Sequence, residues 1–345
     1  MDHGAFFYLV SWCLALGFAL ALLWSIRRIP FFRASYERWE SGRTGVVPRY
    51  RRLGGAVLVS IFLLLLLADR RFEWTAPLVT LWIGSLAILW FSLVDDLSHI
   101  AWPWHLAFQI LLSLLVYSAG MRLDVGQYLG QWQNDPAPVL AALGVVAWVL
   151  VIMNAINWAD GTDGLMPGIA LLSFSTLFVL ALRPEVNQPT IAILAVILSG
   201  LALGLLFFNW HPARILAGTG GAYFFGFTLA VLALYAGMKV ATLLLVLAIP
   251  VLDALIVVAR RLVLGRSPFL PDQAHLHHLL LARGWQPTTI AFAFLTVTGL
   301  MALLALSLEG GSKAVVFLIA GVLLTLLTLV LHASLHTTTA TDRSV

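Results

Sequence analysis

An all-α protein threaded many times through a membrane is what this chain's residues dictate, on three grounds. Of its 345 residues 61% are hydrophobic and only 10% are charged, whereas a soluble domain carries about 25% charged residues. The mean hydropathy is +0.96. Apolar runs of about 16–22 residues recur along the whole length, each able to cross the hydrocarbon as a helix. The sequence has none of the apolar–polar alternation that an outer-membrane barrel strand needs.

About eleven transmembrane helices are expected, over residues 5–26, 53–68, 77–94, 104–119, 138–155, 168–182, 190–206, 219–236, 240–257, 289–307 and 313–333. The first run, from Ala5 to Ile26, is too long for the apolar part of a cleavable signal, and its basic residues follow it. It is expected to be a retained span. Cys13 lies inside it and is the one cysteine, so no intrachain disulfide can form. No internal repeat stands out, which argues against a repeat-built transporter. The segment 120–137, with Tyr128 and Trp132, reads as an outer interfacial loop, and the 13 tryptophans suit interfacial belts. One transmembrane domain over residues 1–336 is expected, followed by a short disordered tail over 337–345.

Charge placement orients the helices. Segments that follow odd-numbered spans hold fourteen of the 20 Lys and Arg residues, and positive loops stay in the cytoplasm. The N-terminus is therefore expected outside and the C-terminus in the cytoplasm. The segment 27–52 contributes eight of these arginines against Glu37 and Glu40. It can attract anionic lipid at about 1 kcal/mol per residue.

The polar residues then fall into four clusters. A charge at mid-bilayer costs roughly 2.5–3.5 kcal/mol on insertion scales, so such groups persist at a helix end, a wet cavity or a reaction site. Asp95-Asp96 close the third span, and Asn154-x-x-Asn157-x-x-Asp160-Gly-x-Asp163-Gly164-Leu165 follows the fifth. Asn209-Trp-His-Pro-Ala-Arg214 and Gly218-Thr219-Gly220-Gly221 follow the seventh. Arg260-Arg261, Ser267-Pro268-Phe269, His275-Leu-His277-His278 and Arg283 follow the ninth. All four land on the cytoplasmic side.

Each cluster has a chemistry and a bland alternative. Adjacent carboxylates stay ionised together only with a cation or donors between them. An oxygen-rich site of this kind suits Mg²⁺, while the alternative is a solvated helix end. Asn154, Asn157 and Asp160 share a broad face if the helix continues through them. Asp163 is open between ligand, cap and support. A Gly-rich turn opening a helix can cradle phosphate, or it can serve helix packing. Three histidines in four residues without His-Glu-x-x-His or a nearby cysteine do not make a zinc site. With the arginines they fit a diphosphate better. Asp253, inside the ninth span after Pro250, has no evident structural need.

With these elements in order on one side, the chain resembles the polyprenyl-phosphate N-acetylhexosamine-1-phosphate transferase family, bacterial glycosyltransferase family 4. That family includes enzymes that start O-antigen, common-antigen and teichoic-linkage synthesis, and the phospho-MurNAc-pentapeptide translocase. Pro48-Arg49 with Gly54-Gly55, Asp95-Asp96-Leu97, the Asn154–Leu165 element, Pro250-x-x-Asp253 with Arg260, Ser267-Pro-Phe and the histidines carry the likeness. The resemblance implies an inner-membrane enzyme that moves N-acetylhexosamine-1-phosphate from a UDP-sugar to undecaprenyl phosphate, releasing UMP at the cytoplasmic face. It implies Mg²⁺, with Mn²⁺ as a substitute, on Asp95, Asp96 and Asp160. Catalytic roles fall to Asp95, Asp96, Asp160 and Asp163. Substrate contacts fall to Asn154, Asn157, Gly218, Thr219, Asp253, His275, His277, His278 and Arg283. Membrane lipids are the other partners, a homodimer is compatible with the sequence, and nucleic acid is not a partner.

One departure stands out. Where the family pattern has Gly-Asp, with the Asp a metal ligand, this chain has Gly218-Thr219. The alternative this opens is a catalytically impaired member that still binds nucleotide sugar or prenyl phosphate. An unrelated transporter is the third reading; its acids belong near mid-membrane in broken helices, whereas these sit at span ends.

Overall fold

Thirteen α-helices and no strand make up the described residues of the computed structural model, 3–28, 53–98, 100–123, 138–236, 239–267 and 274–341. Pro48, Arg49, Pro268, Phe269, Tyr128 and Trp132 lie outside them. In chain order the helices are α1 (His3–Arg28), α2 (Gly54–Ala68), α3 (Ala76–Ser98), α4 (Trp102–Ser118), α5 (Pro138–Ala159), α6 (Leu165–Ala181) and α7 (Pro189–Asn209). They continue with α8 (Gly218–Tyr235), α9 (Val240–Val246), α10 (Ala248–Val263), α11 (Leu276–Ala282), α12 (Pro287–Ser307) and α13 (Gly311–Thr341).

Each of the eleven expected runs coincides with helix. By length and composition seven helices can cross a membrane, or eight if the bent pair α9 and α10 is one span. That pair corrects the sequence reading. The run expected as one straight helix over 240–257 is broken at Leu247 and bent by 82°. Pro250 is the physical reason, because it has no N–H to give the carbonyl of Val246 and its ring clashes there. At the other end of the chain α13 stays helical to Thr341. Residues 337–341 are therefore helical instead of part of a disordered tail. Once nucleated, a helix propagates readily past its apolar part.

The centre of the bundle is α8, whose residues from Gly220 to Leu234 are all buried. A helix that is apolar all round belongs inside, and α8 packs against α5, α3 and α2. The most apolar window of α7 is 83% buried, like that of α8, whereas the figures for α1 and α13 are 22% and 11%. The latter two lie at the outside of the bundle. Close approach of α2 to α8 depends on missing side chains. The Gly55 N–H donates to the Ala217 carbonyl at 2.9 Å, and a Cβ on Gly55 would lie 2.0 Å from the Gly221 nitrogen. Small residues are the usual means of such contact in membranes. Trp148 Nε1 donates to the Ala230 carbonyl at 3.0 Å and fixes α5 against α8. The end of α3, the end of α5 and the start of α8 are thereby held side by side.

Candidate active site

The meeting point of those ends is built on Asp95. Its Oδ1 accepts the Ile100 N–H at 3.0 Å and lies 3.3 Å from His105 Nε2. Its Oδ2 accepts the Thr219 hydroxyl at 3.0 Å. Thr219 stands in the first turn of α8, so the carboxylate faces the positive end of a deeply buried helix, a favourable place for an anion. The residue that departs from the family pattern is thus in direct contact with the first acid of the pair. Asp96 is half-buried beside it at the end of α3.

The loop that delivers Thr219 is fastened by residues of the Asn-Asp cluster. Asp163 Oδ2 accepts from His211 Nδ1 at 2.8 Å and from the Ala213 N–H at 3.0 Å. Asn209 accepts the Gly164 N–H at 2.9 Å and donates to the Ile215 carbonyl at 3.0 Å. Of the three roles left open for Asp163, support is the one its contacts describe. The helix α5 ends at Ala159, so Asp160 stands in the turn beyond it, its N–H donating to the Asn157 carbonyl at 3.3 Å. Asn154 and Asn157, still on the helix, line a cavity of about 800 Å³ together with Thr219.

The histidines reach this cavity from the other side. Asp253 on α10 accepts His275 Nδ1 through one oxygen and the Leu276 N–H through the other, both at 2.8 Å. It thus caps α11 and sets the His275 ring, which packs 5.2 Å from the Trp158 ring. His275 and His278 line the cavity and His277 does not. His277 is 2% exposed, with its Nε2 unpartnered among the described residues. It fits only because residue 161 is glycine: a Cβ there would lie 2.3 Å from that nitrogen. Burial, then the neighbouring His278 and His275, push its pKa down to about 3, so the ring is neutral. Arg283 is turned away, donating to the Leu331 carbonyl at 2.8 Å. It ties α11 to α13 and does not line the cavity.

Three polar lining residues, His105, Gln109 and Tyr223, belong to none of the four clusters, and a fourth, Arg261, comes from the arginine pair that follows the ninth span. Arg261 is 7% exposed and donates to the Ser267 carbonyl at 2.7 Å. Helical phase brings it to the cavity, since Ala254, Val257, Val258 and Arg261 recur on one face of α10 and all line the cavity. His105, Gln109 and Tyr223 had no signal in the sequence, because they pair between helices distant in sequence. The rest of the wall is apolar, with Leu106, Leu150, Val151 and Leu255. The arrangement is a polar floor under greasy sides, suited to an amphiphile with a phosphate head.

Among the described residues no three His, Cys, Asp or Glu side chains form a group that could hold a metal ion. Asp95 already spends three of its roughly four lone-pair sites. The hard oxygens of Asp95, Thr219 and the amides fit Mg²⁺ as an ion that keeps phosphate oxygens and water as most of its ligands, its usual habit.

Residues 78–237 match the model of a known family, glycosyl transferase family 4. A probable undecaprenyl-phosphate N-acetylglucosaminyl 1-phosphate transferase of Bacillus subtilis is 30% identical over 209 residues, 59% of this chain and 58% of the relative. A decaprenyl-phosphate N-acetylglucosaminephosphotransferase of Mycobacterium tuberculosis is 28% identical over 319 residues, 79% of this chain and 78% of the relative. A phospho-N-acetylmuramoyl-pentapeptide-transferase of Anoxybacillus flavithermus is 26% identical over 317 residues, 85% of this chain and 96% of the relative. The matched region contains Asn154, Asn157 and Thr219 of the cavity wall and Asp95, which accepts the Thr219 hydroxyl, and over it the chain is similar to glycosyl transferase family 4.

Proposed function

We propose that this chain transfers N-acetylhexosamine-1-phosphate from a UDP-sugar to undecaprenyl phosphate in the bacterial inner membrane, at the cytoplasmic face. The observation that carries the reading is the cavity itself, in which the Asp95–Thr219 floor and Asn157 meet an apolar wall from α4, α5 and α10. Two of the relatives named above carry a polyprenyl phosphate in their names, and a polar floor beside an apolar wall is what a phosphate on an isoprenoid chain requires.

The lipid phosphate is the nucleophile. One of its oxygens bonds to the sugar-bearing phosphorus while the bond from that phosphorus to the UMP oxygen breaks, giving undecaprenyl-diphosphate-sugar and UMP. With a second pKa near 6, a phosphate monoester is mostly dianionic at neutral pH and needs little help from a base. Positioning and charge neutralisation dominate such a transfer. In this reading Arg261, His275 and His278, which line the cavity, meet the diphosphate, and Asp253, bonded to His275, holds it for that contact. Asp95, with Asp96 and Asp160, would hold Mg²⁺ or Mn²⁺, which when bound neutralises charge on the diphosphate oxygens. Asp163 acts by holding the loop that carries Thr219.

The Thr219–Asp95 bond also favours a second reading, a family member that binds these ligands and turns over slowly or not at all, because a neutral hydroxyl stands where the family pattern has an acid. Incubating the purified protein with undecaprenyl phosphate, Mg²⁺ and a panel of UDP-sugars separates the two. The transferase reading expects UMP and lipid product in equal amounts, both abolished in Asp95→Asn with the protein still folded. Binding of UDP-sugar without UMP release would assign the impaired reading.

A further inference from the structure

Three polar side chains on the cavity wall, His105 and Gln109 on α4 and Tyr223 on α8, are explained by none of the motifs. Gln109 is 2% and Tyr223 3% exposed, and polar groups buried that deeply persist only with partners. With Asn154 they form a series strung between two main-chain carbonyls. A carbonyl can only accept, and this sets the direction of every bond between.

At one end Asn154 Nδ2 lies 2.8 Å from the Leu150 carbonyl, so the amide nitrogen and not its oxygen faces that way. The second hydrogen goes to Gln109 Oε1 at 2.7 Å. Gln109 therefore turns its nitrogen to the Tyr223 hydroxyl, with which it is bonded. That hydroxyl accepts from Gln109 and gives its own hydrogen to His105 Nδ1 at 3.0 Å. At the far end His105 Nε2, 3.2 Å from the Ile100 carbonyl and 3.3 Å from Asp95 Oδ1, carries the ring hydrogen. Both ends demand the same polarity, and a neutral imidazole satisfies it.

Both hydrogens of the Asn154 amide are then spent. The return contact from Gln109 Nε2 to Asn154 Oδ1 is 3.5 Å, at the limit of a hydrogen bond. Half-buried Asn154 lines the cavity with both its hydrogens spent, so beyond the long contact from Gln109 the polar capacity left to it is a lone pair of Oδ1, which is unfavourable beside a phosphate oxygen and favourable beside an N–H or O–H. We propose that Asn154, its polarity fixed by the His105–Tyr223–Gln109 series, is a specificity-determining residue that accepts a hydrogen bond from a donor on the nucleotide sugar. Two donors have that chemistry, the uracil N3–H and the acetamido N–H. The proposal rests on the function proposed above.

Calorimetric binding to the full chain in detergent tests it, with UDP-N-acetylglucosamine, its N3-methyl-uracil analogue and UDP-2-deoxyglucose as ligands. One analogue should bind the native protein at least tenfold more weakly than the parent, since a site built for a donor rejects a ligand lacking it. Loss with the methylated base assigns the uracil, and loss with the deoxy sugar assigns the acetamide. The ratio should collapse toward one in Asn154→Ala. It should also fall in Tyr223→Phe, which makes no new room but lets Gln109 and Asn154 turn. Gln109→Met removes the same link if the Tyr223 variant is not recovered folded. Full discrimination in Asn154→Ala, or in the variant that cuts the series, overturns the inference while leaving the transferase reading intact. Failure of the folded native protein to bind UDP-N-acetylglucosamine at all overturns both.

Discussion

A hydroxyl at position 219 changes what the Asp95 carboxylate can do. With Thr219 donating to it, Asp95 is comfortable without an ion. Replacing the hydroxyl by a carboxylate would set two like charges together, which stay ionised only around a cation. Thr219→Asp should therefore lower the apparent melting temperature in chelator and raise it on adding millimolar Mg²⁺, while the native protein does not respond to the free ion. One unit charge about 4 Å from a cation is worth about 4 kcal/mol at an effective dielectric of 20, so ion affinity should rise by up to about a thousandfold. A native protein that melts as ion-dependently as the variant would contradict this. His277 supports a second expectation. Unfolded, its ring titrates near 6.5; folded, at about 3. Between those values the unfolded chain binds the extra proton, so stability falls as pH falls, by up to ~1.4 kcal/mol per pH unit. Melting curves of the native protein and His277→Asn between pH 7 and about pH 4 should diverge, the variant being flatter. At this scale the motifs singled out Asn154, Asn157, Thr219, His275 and His278, which the fold brings to one cavity, and Asp95, which bonds Thr219, because motifs are local. The sequence misplaced Arg283, whose partner Leu331 is distant in sequence, and it had no means of pairing His105 with Tyr223.

Helices were legible because lipid demands them: each apolar run had to satisfy its backbone internally. The break at Leu247 was written in Pro250, yet a hydropathy window averages over it. Packing was less legible, since no pattern within α8 says that α2 must touch its first turn. Gly55 makes that contact, and its nearest obstruction is backbone. Gly55→Ala should cost on the order of 1–3 kcal/mol, as overpacking does, and should depress transfer as well because the displaced turn carries Thr219. Melting temperature and UMP release measured together check this; a stable variant with lost activity would point to the turn alone. The joint between α10 and α11 is a second such device. Asp253→Ala removes both the α11 cap and the setting of His275. UDP-sugar affinity should fall at least tenfold, and an unchanged affinity would take His275 out of the diphosphate contact.

Across the whole molecule, helix ends from both halves of the chain build one chamber, half polar and half apolar. Charge counting anticipated that four polar clusters would share one side, and residues from all four surround or support this cavity. Which side of the membrane they face was read from arginines alone, several of them in the segment 29–52 outside the described residues. The central claim is chemical: phosphorus moves from nucleotide to lipid here. UDP-N-acetylglucosamine labelled with radioactive phosphorus in its sugar-linked phosphate, incubated with the protein and undecaprenyl phosphate, tests that directly. The account predicts the label in the lipid fraction, with unlabelled UMP released and no transfer by Asp95→Asn. Label that remains on the nucleotide, or that reaches lipid equally well with Asp95→Asn, would contradict it.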